Sequence, residues 1–268
     1  MRYTRRTHAR SLCGLVIGAV VTTSAMKAGL TVRQIARSTA FSMARVSRIM
    51  TGFGPVRPTD VAVLSVVFGW APKLRDYLCQ LATRTHVTYW LYDHSDTQAE
   101  DLLGVLESVS STVTVYAPLL VPRCLRVAAY DDHIRSEAFD DVTRATRQPH
   151  PEPRCEFFLD AHVLTRPGIP EHVRQQQLTH LARRASNDDI AIRIVTANAH
   201  YSGVEAFRLL AVMRGESVVH LEQPTTSLLL HHDSDVTTYA IFIRTLRSMA
   251  LDPVASRHFI AGLLGRPG

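Results

Sequence analysis

The sequence predicts two folded parts: an all-α domain of five short helices at residues 15–82, then an α+β domain at 99–268 built on a small, mostly antiparallel sheet. Three observations lead there. Charge changes along the chain, with 12 Lys/Arg against 2 Asp/Glu in residues 1–82 and 18 against 22 in residues 83–268. Helix caps and helix-starting prolines crowd the first third. Beyond residue 150, short apolar runs separated by turn residues take over. A composition of 46% apolar and 20% charged residues lets both parts bury a core.

The first segment has two readings. Arg5–Ala25, "RRTHARSLCGLVIGAVVTTSA", has the grammar of an export signal: a charged start, an apolar run Leu12–Val21, then small residues. That run is too short to span a membrane, which takes about 20 residues. It also serves as a buried first helix, with the basic stretch 1–14 as an arm. Gly29 then ends that helix in a left-handed cap. Thr31 caps the second helix, and Gln34, three residues on, completes a capping box. Ile35, Ala36 and Thr39 share one side, while Arg33 and Arg37 project together from another. "TAFS" breaks the pattern, and Ser42 caps a third helix, Met43–Met50. Its Val46 and Ile49 form an apolar back. Ala44, Ser47, Arg48 and Thr51 form a small or basic front, with Met43 and Arg45 on the flanks. A fourth helix starts near Pro58–Thr59 and stops at Gly69, and a fifth starts at Pro72. Ile17, Val21, Ala28, Ile35, Val46, Ile49, Val61, Leu64 and Leu74 are available for one core.

Residues 83–98, containing the turn-rich "YDHSDTQ", read as a connecting segment. Residues 99–134 read as a helix, a break at Pro118–Pro122, and a second helix; "DDVTRATRQ" adds a short third. "CEFFLDAHVL" and "IAIRIVTA" have strand character. Between them "GIPEHVRQQQLTHLARRA" is a long amphipathic helix, with Val173, Leu178 and Leu181 inward and the glutamines and arginines outward. "EAFRLLAVM", "ESVVHLEQ" and "TSLLLHH" are three more strands joined by short turns, which is what suggests antiparallel pairing. Two helices close the chain, one capped by Ser234 and one starting at Asp252-Pro253.

No cofactor or metal is expected. Cys13, Cys79, Cys124 and Cys155 make no C-x-x-C pair, so reduced thiols in a cytoplasm are the simplest reading. Thirteen histidines raise the question of a metal or catalytic site, yet none falls in an H-E-x-x-H spacing. His220 and Glu222 share a strand face, His200 sits in a turn, and Asp160 caps a helix as readily as it acts as a base. No phosphate loop or serine elbow accompanies them, so no enzymatic activity is expected.

Residues 15–82 resemble the phage-repressor (XRE-type) helix-turn-helix domain. The likeness rests on Ala28-Gly29-Leu30-Thr31, Ile35-Ala36, Ser42, Val46-Ser47-Arg48-Ile49, Gly52 and Pro58. Ala40 stands at the turn glycine, Val32 where helix two usually opens with Gln, and Met50 where Glu often follows "SRI". The remainder resembles the antitoxin-like domain of unknown function that follows this head in actinomycete regulators. It does so at Tyr116-x-Pro118, Leu120-Val121-Pro122, Tyr130, Arg144-x-x-Arg147-Gln148, Leu159-Asp160, Gln177-Leu178, Leu221-Glu222, Tyr239 and Phe242. The resemblance implies a cytoplasmic, sequence-specific transcriptional regulator with double-stranded DNA as partner. The third helix would lie in the major groove, Ala44, Ser47 and Arg48 on base edges and Arg33, Gln34, Arg37 and Arg45 on phosphates. The second domain would sense a signal or dock a small acidic partner protein. Arg123 and Arg126, which stand where the family is neutral, are the candidate docking residues. A homodimer is compatible with this plan and a membrane is not part of it. Two alternatives remain: an interaction module whose helix-turn-helix no longer reads DNA, and an exported protein whose apolar start is a signal.

Overall fold

A computed structural model describes residues 11–84, 87–134, 153–196, 205–212 and 215–264. The short helix expected at "DDVTRATRQ", His200 and most of the basic arm lie outside them.

The first third forms helices α1 (Leu12–Ala28), α2 (Val32–Thr39), α3 (Met43–Met50), α4 (Pro58–Phe68) and α5 (Pro72–Ala82). The expected core largely assembles. Ile17, Val21, Ile35, Val46, Ile49, Val61 and Leu64 are buried. Ala28 is exposed and Leu74 only half-buried, and Leu78 and Leu81 fill the space instead.

α1 is unlike a helix on the outside of a small domain. Every residue from Leu12 to Val21 is buried, so no face is left for solvent. One side packs on α3, α4 and α5, and the other on α6 (Thr97–Ser108). There Leu102, Leu103 and Leu106 are buried. A helix apolar all round belongs where it is covered all round. At the same seam the Tyr77 hydroxyl donates to the Asp96 carboxylate at 2.7 Å, and Leu12 N donates to Val87 O at 3.3 Å. Among the described residues no single helix is long and apolar enough to cross a membrane.

Beyond α5 run β1 (Tyr89–Asp93), α6, β2 (Thr112–Ala117), a 3-10 turn (Arg123–Leu125), α7 (Ala128–Ile134), β3 (Arg154–Asp160), α8 (Ala161–Leu164), α9 (Glu171–Arg184) and β4 (Ile190–Val195). Then come β5 (Phe207–Ala211), β6 (Ser217–Glu222), β7 (Thr226–Leu230), α10 (Asp233–Met249) and α11 (Pro253–Leu264). The sheet is not small: it has seven strands in the order β1-β7-β6-β5-β2-β3-β4, and it is mixed, with four antiparallel pairings and two parallel ones. β2, β3 and β4 are parallel, and the other pairings are antiparallel. The physical reason is the crossover. A strand, a long helix and a second strand return the chain in the same direction, as β3, α9 and β4 do. Two strands also stand where none was expected: β2 inside a run read as helix, and β1 inside the connecting segment.

One sheet face joins the large core that includes α1, α6, α9 and α11. The other carries Tyr116, Phe158, Phe207 and Val195, which pack with Ile243 and Leu246 of α10. Gln177 departs from the outward placement expected for the glutamines of α9. It is 3% exposed, donating from Nε2 to Leu125 O at 2.6 Å and accepting from Val127 N at 2.9 Å, so it pins the 3-10 turn to the helix. His232, not Ser234, caps α10, and Asp160 caps α8.

Candidate nucleic-acid interface

α2 begins as the sequence predicts. Gln34 N donates to Thr31 Oγ1 at 3.3 Å and Thr31 N donates to Gln34 Oε1 at 2.9 Å, so the Gln34 carbonyl is already engaged. α2 ends on Ala40, which takes the left-handed conformation, φ 57°. A side chain there costs about 1–2 kcal/mol relative to the right-handed region. The turn between α2 and α3 is held in spite of that. Ser42 Oγ then accepts from Arg45 N at 3.1 Å and starts α3.

The two helices sort their residues as their periodicity requires. Ile35, Ala36, Thr39, Val46 and Ile49 are buried. Arg33, Gln34 and Arg37 on α2 are exposed, as are Ala44 and Arg48 on α3, and Ser47 is half-buried beside them. Arg45 is placed differently from the others. Its guanidinium pairs with the Asp60 carboxylate of α4, which also accepts from Arg57 N at 2.8 Å. Arg45 thus fastens α3 to α4 instead of facing outward with Arg48.

α1 fixes the back of α3 by close approach. A Cβ on Gly18 would lie 2.7 Å from Ile49 O and 2.9 Å from Met50 O. Thr22 Oγ1 donates to Met50 O at 3.3 Å. Gly52, at φ 64°, passes equally close to the Leu15 main chain. Sequence reasoning found neither contact, since a glycine inside an apolar helix carries no mark of what approaches it.

In the second part Arg126 is turned inward. It donates to Val121 O at 2.6 Å and to Asp131 at 2.9 Å, which makes it a brace of its own loop and not an open docking residue. Arg123 is half-buried on the 3-10 turn. His220 and Glu222 do not converge: Glu222 pairs with Arg208 at 3.2 Å, while His220 Nε2 and His94 Nε2 each lie about 3 Å from Ser227 Oγ. Ser227 is 1% exposed, out of reach of a substrate in this structure. No group of three or more His, Cys, Asp or Glu among the described residues could hold a metal ion. Burial, and then the charges of Arg208 and His94, hold the His220 imidazole well below its ordinary pKa. A histidine that titrates lower when folded stays neutral in the fold while the unfolded chain takes up a proton. Its contribution is therefore present above about pH 6.5 and is lost as pH falls below it, by up to about 1.4 kcal/mol per pH unit. Urea midpoints at pH 7.5 and 5.5 should show a smaller acid loss for His220→Gln than for the parent. Equal losses would exclude His220 as the source.

A family model described as a helix-turn-helix domain matches residues 16–78, covering most of α1–α5. A second, described as a domain of unknown function (DUF5753), matches residues 101–262, more than half of the chain. The chain belongs to the DUF5753 family. The DUF5753 match runs from within α6 to within α11, so β1 lies between the two matched segments. No curated protein matches the chain. A likeness to one solved structure, that of TrmBL2, an archaeal chromatin protein that shows a novel mode of DNA binding, is slight. The two share 11% identity at a TM-score of 0.31, over 83% of this chain and 88% of that one. At that score the likeness bears on neither fold nor function.

Proposed function

We propose that this DUF5753 protein is a cytoplasmic, sequence-specific DNA-binding transcriptional regulator of the XRE type, related to the actinomycete regulators with an antitoxin-like second domain. The observation that carries this is the exposed face of α3. Ala44 and Arg48 stand outward with Ser47 beside them, over a buried Val46–Ile49 back and within a matched helix-turn-helix segment. Small side chains let a helix approach base edges, and an arginine can bond a guanine bidentately. Arg33 and Arg37 on α2, with Gln34 through its free amide end, would contact phosphates. Arg45 is left out of that set because Asp60 holds it. The second part would carry no chemistry of its own and would sense a signal or dock a small acidic protein partner.

A randomised-site selection tests the reading. The parent should enrich a defined motif. Arg48→Ala should flatten preference at one position by about 1–3 kcal/mol, the value of one bidentate contact. Arg37→Ala should weaken all sequences alike and lower the salt dependence, because a phosphate contact releases counterions. No enrichment by the parent, or an unchanged motif with Arg48→Ala, would sink the assignment.

A further inference from the structure

The two ends of the sheet are treated differently. At β4 the outer edge is covered. Leu251 N donates to Ile194 O at 2.9 Å, Ile194 N donates to Ser256 Oγ at 3.0 Å, and Val195 bridges to Ala250. The α10–α11 junction thus blocks that edge, as folds do to prevent unwanted strand pairing. At the other end β1 pairs, among the described residues, with β7 alone.

The direction of its main chain can be read off. His231 N donates to Thr88 O at 2.7 Å and His94 N donates to Thr225 O at 3.1 Å, so residues 88 and 94 bond inward to the β7 side. In an antiparallel ladder the bonding side alternates along the strand. Trp90 and Tyr92 therefore bond inward too, and Tyr89, Leu91 and Asp93 aim their N–H and C=O groups outward. Among these, Asp93 O accepts from Asp96 N at 2.9 Å. Tyr89 and Leu91 are 60% and 59% exposed. The strand "YWLYD" is short and carries one charge, Asp93 at its end, but it has no lysine, proline or glycine, and its register with β7 is unbroken.

We infer that β1 is a self-pairing edge that joins two copies of this chain through an antiparallel β1–β1 ladder centred on Leu91. The register follows from the outward groups. Only residues 89, 91 and 93 offer bonds, and the antiparallel arrangement that uses all three sets Leu91 against Leu91 and Tyr89 against Asp93 at both ends. Each Asp93 then meets a tyrosine and not its own copy, whereas an in-register parallel pairing would bring the carboxylates side by side. The centre is apolar and the ends are complementary, which is what a two-fold, self-matching interface requires. A second copy satisfies these groups with nothing added, which a strand from another protein could do only by matching the same register. The dimer would also carry two copies of α3, as a DNA site with two half-sites needs. That last consequence rests on the proposed DNA-binding reading, and the pairing itself does not.

The test is made on the full chain without DNA, so its failure is separate from a failure to bind DNA. Sedimentation equilibrium should give twice the chain mass of 29.9 kDa. Leu91→Pro removes one outward N–H, and an edge strand tolerates that. It and Leu91→Lys should each halve the mass while circular dichroism stays that of the parent. Leu91→Cys should form a disulfide-linked dimer on mild oxidation, since facing residues of a bonded pair have Cα atoms about 5.5 Å apart. Asp93→Cys should not. A monomeric parent, a dimer that survives both Leu91 variants, or cross-linking at 93 in place of 91 would overturn the inference.

Discussion

Glu107→Ala is expected to destabilise the protein by about 3 kcal/mol, the lower end of what removing one partner of a buried ion pair costs. Glu107, on α6, is 7% exposed and accepts from Arg208 of β5 at 2.8 Å. Burial works against the Arg208 charge, yet Glu107 and Glu222 hold its pKa above the ordinary value. Without Glu107 the guanidinium keeps, among the described residues, only the exposed Glu222 as an ion-pair partner, and the loss is softened but not removed. The double variant Glu107→Leu/Arg208→Met should recover most of the stability, because replacing both partners by apolar groups removes the stranded charge as well. Urea unfolding of the parent, Glu107→Leu, Arg208→Met and the double variant completes the cycle. A Glu107→Ala cost below about 1 kcal/mol would mean that the pair is solvated like a surface bridge.

Gly18→Ala and Gly104→Ala are the same chemical change in two helices, and their effects should have opposite signs. Both gain helix propensity, about 0.5–1 kcal/mol. On Gly104 of α6 the new methyl meets nothing within 4 Å, so that gain should appear undiminished. On Gly18 it lands against the carbonyls of Ile49 and Met50, main-chain atoms that cannot swing aside. Overpacking of this kind costs about 1–3 kcal/mol, so the net effect should be a loss of up to about 2.5 kcal/mol. α3 would move with it, so affinity for the selected DNA motif should fall beyond what the stability loss explains. Stabilisation by Gly18→Ala would show that α1 and α3 are less closely joined than described.

Local signals in the sequence were enough for the head. The Thr31–Gln34 box, the Ser42 cap and the Gly29 and Gly69 stops act within one turn of where they stand, and the structure has each of them. Five of the strands and the antiparallel run β5–β6–β7 were legible, but the parallel pairs were not, because direction depends on what lies between strands. The helix α9 between β3 and β4 was the available signal for a parallel pair, and the short turns around β6 outweighed it. β2 was lost for another reason: "TVTVYA" continues an apolar helical run, and only its alternating β-branched residues mark the change. Of the candidate interface, the outward set on α2 and α3 followed from periodicity. The inward turn of Arg45 and Gln177 did not, since a polar side chain's partner 15 or 52 residues away leaves no local trace. Arg126 bonds Val121 and Asp131, each only 5 residues away, but around a turn where helix or strand periodicity assigns no side.

The two-sided burial of α1 has a consequence for how the chain is made. A ribosome releases α1 before α6, with the rest of the head, which ends at Ala82, between them. The apolar side of α1 meant for Leu102, Leu103 and Leu106 therefore waits while residues 83–108 are added. At about 5–20 residues per second that interval lasts roughly one to five seconds. Throughout it the nascent head presents an oily stripe on α1, which follows Arg5, Arg6 and Arg10 in the sequence. The same combination of a basic start and an apolar stretch that gives this segment its signal-like grammar is then what a chaperone or targeting factor at the tunnel exit would meet. The arrival of α6 ends that exposure, which sets a time window for any such capture.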